Sequence, residues 1–416
     1  MKRIHLALAA IAIAGLAARL IGYLYGKSLW FDEASVAVNI MDRSYGQLLQ
    51  RLDYFIVNPP LFLIISKAVY SLWGHIEYSF RFLPFVAGCL SLLVFIRTVK
   101  RIMPSIFGIC AAALYSLNVT HINWATSAKH YSLEELSSAV AILIAVEWTK
   151  LSTRWRCVIA LVLPVLLWFS FTFAFVITGF IVALAYSFLK ERKASASAPL
   201  IVLIAATSAS ALWLYMAAIR YSLGYETLVG MWSDVDAFPT APYSSWLGKS
   251  LLAVVGYACG VPYGPLLVMF FCLIGGYALW RDRYQSIVII SAVTLLTALG
   301  AAALGVYPFM SGRLSTYWSP MVLLLFASGL QAVWHSLGNL RFRRFITTLA
   351  ICIVLINIIG SLSFASFIFL KEEMRYVTEH LGEQYDGETP ILVSSLARRP
   401  FRIYGGKLPS DKVVHI

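Results

Sequence analysis

The chain has 416 residues, 60% hydrophobic and 13% charged, whereas a soluble domain carries roughly 25% charged residues; that composition excludes an ordinary water-soluble fold. The formal charge of +13 does not mark a nucleic-acid surface. The bases sit in short clusters between apolar runs, the pattern of membrane topology signals.

The first apolar segment, Ile4 to Leu24, is longer than the roughly 7–15 residue core of a signal peptide and reads as an uncleaved first helix. Basic clusters mark cytoplasmic connections. There are six: Lys2-Arg3, Lys100-Arg101, Lys150 to Arg156, Lys190 to Lys193, Arg281 to Arg283 and Arg341 to Arg344. If all six are cytoplasmic, the parity of crossings is fixed. The first helix exits, Ser79 to Val99 returns, and Leu61 to Trp73 between them is left as an interfacial or re-entrant helix. Cys157 to Leu189 must go out and come back, broken near Phe169 to Phe173. Ser250 to Trp280 breaks at Gly260 to Pro265 into a half-helix and a span. The expectation is an all-α polytopic membrane protein with about eleven transmembrane helices. Residues 1–370 form the membrane domain, with external loops at 26–78 and 221–249. Residues 371–416 form a small external α/β appendage, with a helix near Glu372 to Leu381 and a strand at Ile391 to Val393. The six cysteines lie in or beside apolar segments without metal-ligand spacing and read as small core residues. No metal site and no cofactor is expected.

Four external places could carry chemistry. Trp30-Phe31-Asp32-Glu33 follows the first span, and a partly desolvated carboxylate there can act as a general base, or simply mark a helix end. Asn58-Pro59-Pro60-Leu61 opens the interfacial helix, with Asn58 suited to capping it; Asp53 upstream is a site acid or a solvated loop acid. In Ala125 to Glu135, Lys129 and His130, with Tyr131 beside them, could meet an anionic phosphate. Alternatively Lys129 pairs with Glu134 or Glu135 along one helix. Tyr307 to Arg313 places one arginine among aromatic and small residues, suited to bidentate phosphate recognition or to snorkelling. Together they set carboxylates and phosphate-seeking cations on one side of the bilayer, the chemistry of transfer from a lipid phosphate.

At these same places the sequence resembles the polytopic GT-C glycosyltransferases, in the branch that includes protein O-mannosyltransferases and the lipid A aminoarabinose transferase. Asp32-Glu33 matches the first-loop acidic pair, and Asn58-Pro59-Pro60-Leu61 matches a His-Pro-Pro-Leu element. Arg81-Phe82-Leu83-Pro84 with Gly88, Ala128 to Glu134 and Tyr307 to Arg313 match further elements. The resemblance implies a polyprenyl-phosphate-sugar donor, a glycan, lipid or protein acceptor reached from the periplasmic side, and inversion at the sugar carbon. It implies Asp32 as catalytic base with Glu33 assisting, and Lys129, Arg313, His130 and Tyr131 at the donor phosphate. Asp53, Asn58 and Glu134 are expected in supporting roles. Asn58 departs from the family histidine. The expected location is a bacterial inner membrane, N-terminus cytoplasmic and C-terminus periplasmic. The alternatives are a transporter or flippase for a lipid-linked sugar, or a non-catalytic polysaccharide assembly protein.

Overall fold

In the computed structural model, residues 2–191, 197–222, 226–260, 264–369, 373–406, 408 and 412–415 are described. Part of the fourth basic cluster (Arg192, Lys193), the centre of the 260–265 break, Glu372 and Asp411 lie outside them.

In chain order the helices are α1 (Lys2–Leu24), α2 (Phe31–Asp42), α3 (Pro60–Trp73), α4 (Ile76–Ile102), α5 (Ile106–Leu117), α6 (Val119–Ala125), α7 (Tyr131–Glu147), α8 (Thr153–Val162), α9 (Phe173–Glu191), α10 (Ser197–Leu214), α11 (Arg220–Ser222), α12 (Glu226–Ser233), α13 (Tyr243–Cys259), α14 (Pro265–Arg281), α15 (Gln285–Ala303), α16 (Ser319–Ser336), α17 (Leu340–Phe369), α18 (Met374–Gln384) and α19 (Arg398–Tyr404). Strands β1 (Ile391–Val393) and β2 (Val413–His415) pair in parallel, Ile391 opposite Val413. They bury Ile391 and Val393 with Leu408 in a small cluster of their own. The chain is an all-α polytopic membrane protein with a small α/β appendage.

Among the described residues seven helices are long and apolar enough to cross a bilayer, or eight if α5 and α6, bent by 47° at Asn118, form one span. A total of about eleven is reached only by crediting shorter helices such as α14 as well. Both expected breaks are present. α8 gives way to a 3-10 stretch, Leu163–Trp168, before α9, with the Ser170 hydroxyl accepting the Phe173 N–H at 3.2 Å. α13 stops at Gly260, whose φ of 65° is the left-handed conformation that ends helices.

Close packing between helices rests on small residues, as it must where lipid is as apolar as leucine. Gly275 of α14 and Gly329 of α16 face each other's helix. A β-carbon on Gly275 would lie 2.7 Å from the Gly329 nitrogen, and one on Gly329 would lie 2.7 Å from the Phe271 carbonyl carbon.

At the break between α5 and α6 the freed carbonyls are met by an arginine of the mostly apolar α1. Arg19, fully buried in α1, donates to the Ser116 carbonyl at 2.9 Å and the Tyr115 carbonyl at 3.5 Å. These carbonyls, at the C-terminal end of α5, lose helical partners at the break, and a guanidinium complements them. Asn118 starts α6 by accepting the Thr120 N–H at 2.8 Å.

Candidate functional site

α1 ends at Leu24, and the chain turns through Gly26 into an extended segment that delivers α2. Asp32 and Glu33 occupy the first turn of α2, where carboxylates suit the positive end of the helix dipole. Consecutive residues of a helix point in different directions, and the two acids have different surroundings.

Glu33 is wholly buried. Its carboxylate accepts from the Arg81 guanidinium of α4 at 2.8 Å, the Ala128 N–H at 2.7 Å and the Trp30 N–H at 3.3 Å. Arg81, equally buried, also donates to the carbonyls of Lys27 and Ser28. The pair ties the first loop, α4 and the segment before α7 into one unit. The Arg81 role was not read from the sequence. Its signal was an arginine near the start of an otherwise apolar helix, costly unless partnered.

Asp32 stays 15% exposed and is flanked by two cations: Lys129 Nζ lies 2.8 Å from Oδ1, and the Arg313 guanidinium pairs with Oδ2. Burial alone would push the Asp32 carboxyl up. The two cations overcome that and hold it below the ordinary aspartate range. Burial lowers the Lys129 ammonium, partly offset by Asp32.

Each cation is set by local backbone chemistry. Lys129 and His130 lie in the turn before α7 rather than on it, because the helix begins at Tyr131. This corrects the expectation that Lys129 and Glu134 share a helical face, and Lys129 pairs with Asp32 rather than with Glu134 or Glu135. Gly312, with φ 101°, takes a conformation that residues with a β-carbon avoid. It turns the chain into the 3-10 stretch Arg313–Trp318. The Arg313 guanidinium then lies over the Trp232 ring of α12, 5.4 Å from its centroid, within the range of a cation–π contact.

The supporting residues fall into two groups. Glu134 is buried in α7 and meets His130 Nε2 at 3.4 Å and the Thr316 hydroxyl at 3.2 Å. The other nitrogen of His130 lies 3.0 Å from Asn58 Oδ1. Asn58 therefore does not cap α3: the cap position is Pro59, without a side-chain bond. Tyr131 is buried between Trp124 and His130. Asp53 stands apart, its side chain 66% exposed and paired with Arg43 at 2.9 Å. Glu135 is turned toward His121 of α6 at 2.7 Å and Tyr115 at 3.4 Å. Among the described residues no three His, Cys, Asp or Glu side chains stand together.

The C-terminal appendage closes over this region. Tyr404 of α19 accepts the Leu29 N–H at 2.9 Å, Glu373 accepts from Ser28 at 3.0 Å, and Arg375 pairs with Glu77 at 3.0 Å.

The chain has the fold of the GT-C glycosyltransferase superfamily. Its shape is similar to ArnT from Cupriavidus metallidurans, an aminoarabinose transferase, bound to undecaprenyl phosphate (TM-score 0.52, 11% identity, 100% of this chain and 89% of that one). The apo state of the same enzyme gives TM-score 0.54 at 10% identity over 98% of this chain and 89% of that one. The oligosaccharyltransferase of Archaeoglobus fulgidus, in complex with Zn and sulfate, gives 0.50 at 12% identity, with 96% of this chain covering 61% of that one. At such identities what is shared is the fold. No protein-family profile matches the sequence, and no curated protein matches it.

Proposed function

We propose that the protein is an integral membrane glycosyltransferase that moves a sugar from a polyprenyl-phosphate donor to an envelope glycan, lipid or protein acceptor. The observation that carries this reading is Asp32 held between Lys129 and Arg313, in a fold shared with an enzyme that binds undecaprenyl phosphate.

The resting ion pairs suggest how the parts are used. A donor phosphate competes for Lys129 and Arg313, and as it takes them Asp32 is released from both. Free of its counter-charges and still largely buried, the carboxylate becomes more basic. The acceptor hydroxyl gives its proton to Asp32 while its oxygen bonds the sugar carbon. The bond from that carbon to the phosphate oxygen breaks, and its electron pair stays on the phosphate, facing the two cations. Attack opposite the leaving group inverts the carbon. Glu33, saturated by Arg81 and two backbone N–H groups, assists by fixing the first turn of α2. His130 and Tyr131 border the phosphate position, and Glu134 with Asn58 holds His130. Asp53 fastens the loop to Arg43. The orientation that fits the basic clusters is an inner-membrane protein with the N-terminus cytoplasmic and this site periplasmic.

The test is incubation of the purified protein with a panel of polyprenyl-phosphate sugars and membrane extract. Sugar transfer that disappears in Asp32→Asn supports the mechanism. A wild type that moves no sugar, or an Asp32→Asn variant with full activity, removes it. The rival transporter reading predicts movement of intact lipid-linked sugar across liposomes, independent of Asp32.

A further inference from the structure

A third cation reaches α2, and it comes from the appendage. Arg399 of α19 donates to the Ser35 hydroxyl at 2.8 Å, one turn along α2 from Asp32. Its guanidinium lies between two rings, 4.2 Å from the centroid of Phe31 and 4.4 Å from that of Tyr54. Tyr54 is held there at a cost. It and Phe55 both have positive φ, 67° and 55°, a conformation bulky residues resist. Asn39 enforces the turn by bonding the backbone of Asp53 in both directions, at 2.9 and 3.3 Å. Arg402 adds a contact to the Tyr54 hydroxyl and an ion pair to Asp42 at 2.8 Å.

Charge balance shows what Arg399 is not needed for. In the mechanism above, which this inference rests on, Asp32 and a phosphodiester donor each bring one negative charge against Lys129 and Arg313. After transfer Asp32 is neutral, and the phosphate monoester left behind carries close to two. Two cations match both ends of the reaction. Arg399 is surplus to it, and the two acids of this face, Asp42 and Asp53, are already paired with Arg402 and Arg43. Among the described residues no carboxylate forms an ion pair with Arg399. Ser35 takes one of the five N–H donors of a guanidinium, and the stacked rings fix its plane, the arrangement that suits bidentate capture of an oxyanion.

We infer that Arg399, supplied by the C-terminal appendage, binds a carboxylate or phosphate on the acceptor and so selects acidic acceptors for the Asp32 site.

The experiment uses the full chain in lipid nanodiscs with a labelled undecaprenyl-phosphate sugar. The acceptors are octyl glucoside, octyl glucuronide and octyl glucoside 6-phosphate, offered to wild type, Arg399→Ala, Arg399→Lys and, as a control, Arg398→Ala. The expected result is a wild-type acceptor KM roughly 10- to 100-fold lower for a charged acceptor than for the neutral one, the worth of a charge-assisted hydrogen bond. Arg399→Ala abolishes that preference with the donor KM and thermal midpoint unchanged, Arg399→Lys restores part of it, and Arg398→Ala keeps it. Comparison of the two charged acceptors shows which oxyanion is recognised. Equal use of all three acceptors by wild type, or an Arg399→Ala defect that falls on the donor KM, overturns the inference while leaving the transferase reading intact. If no Asp32-dependent transfer or donor hydrolysis occurs at all, the transferase reading fails and this inference falls with it.

Discussion

Lys129 Nζ lies 2.8 Å from Asp32 Oδ1, so a base candidate and a phosphate-binding candidate neutralise each other until a ligand separates them. A site of this kind is closed by its own charges. In the proposed mechanism the donor opens it by replacing one anion with another, which makes acceptor activation depend on donor occupancy.

Removal of the carboxylate is the most direct perturbation. Asp32→Asn keeps the volume and loses the proposed base, with an expected fall in kcat of about 10²- to 10⁴-fold. Chromatographic behaviour in detergent should be unchanged. A variant within threefold of wild type on labelled-donor transfer would remove Asp32 from the chemistry.

The cations should separate binding from protonation. Lys129→Ala and Arg313→Ala are each expected to raise the donor KM by roughly 10-fold or more, the worth of one charge-assisted contact. Each also leaves burial less opposed at Asp32, so its carboxyl rises from its depressed position. The base form exists above that pKa. The acid limb of kcat/KM should therefore move to higher pH in both variants, and a pH–rate series reads it. A limb that stays in place or moves to lower pH contradicts the electrostatic account.

Acid stability follows from the same shift. Asp32 is held below its unfolded value, so it contributes stability above the unfolded pKa that is lost as pH falls toward the folded one. The decline in thermal midpoint between neutral and acid pH is expected to be shallower in Asp32→Asn than in wild type. Parallel curves would show that the pairing carries no linkage.

Glu33 and Arg81 test a structural role. Both are almost wholly buried, and removing one partner strands the other, a loss of about 3–5 kcal/mol. Glu33→Leu and Arg81→Met should each lower the thermal midpoint sharply, and the double variant should recover part of the loss. Additive losses in this double-mutant cycle would mean the two residues do not act as a pair.

The helix crossing is the last test. Gly275→Leu or Gly329→Leu places a side chain against the opposing backbone and is expected to abolish the monodisperse peak in size-exclusion chromatography. Gly300→Leu, which faces open space, should behave as wild type.

Composition and the length of the apolar runs determined that the chain is a helical membrane protein, because a bilayer admits few alternatives for such segments. The flanking basic clusters and the length of the apolar run located the divided segment at α8–α9, and the Gly- and Pro-containing break located the one at α13–α14. Asp32, Lys129 and Arg313 were legible as candidates because charged groups at the end of apolar runs are costly without partners. Their convergence at one membrane surface was expected from sidedness and the family resemblance, but the pairing itself was not legible: 97 positions separate Asp32 from Lys129 and 184 separate Lys129 from Arg313, and no local pattern encodes contacts over such distances. Tertiary structure alone decided that Lys129 meets Asp32 instead of Glu134, that Glu33 is claimed by Arg81, that Asn58 turns to His130, and that Arg399 returns from the far end of the chain to α2. Each is a choice among partners of similar chemistry. Periodicity fixes which face a residue occupies, but only the packing of whole helices fixes which partner that face meets.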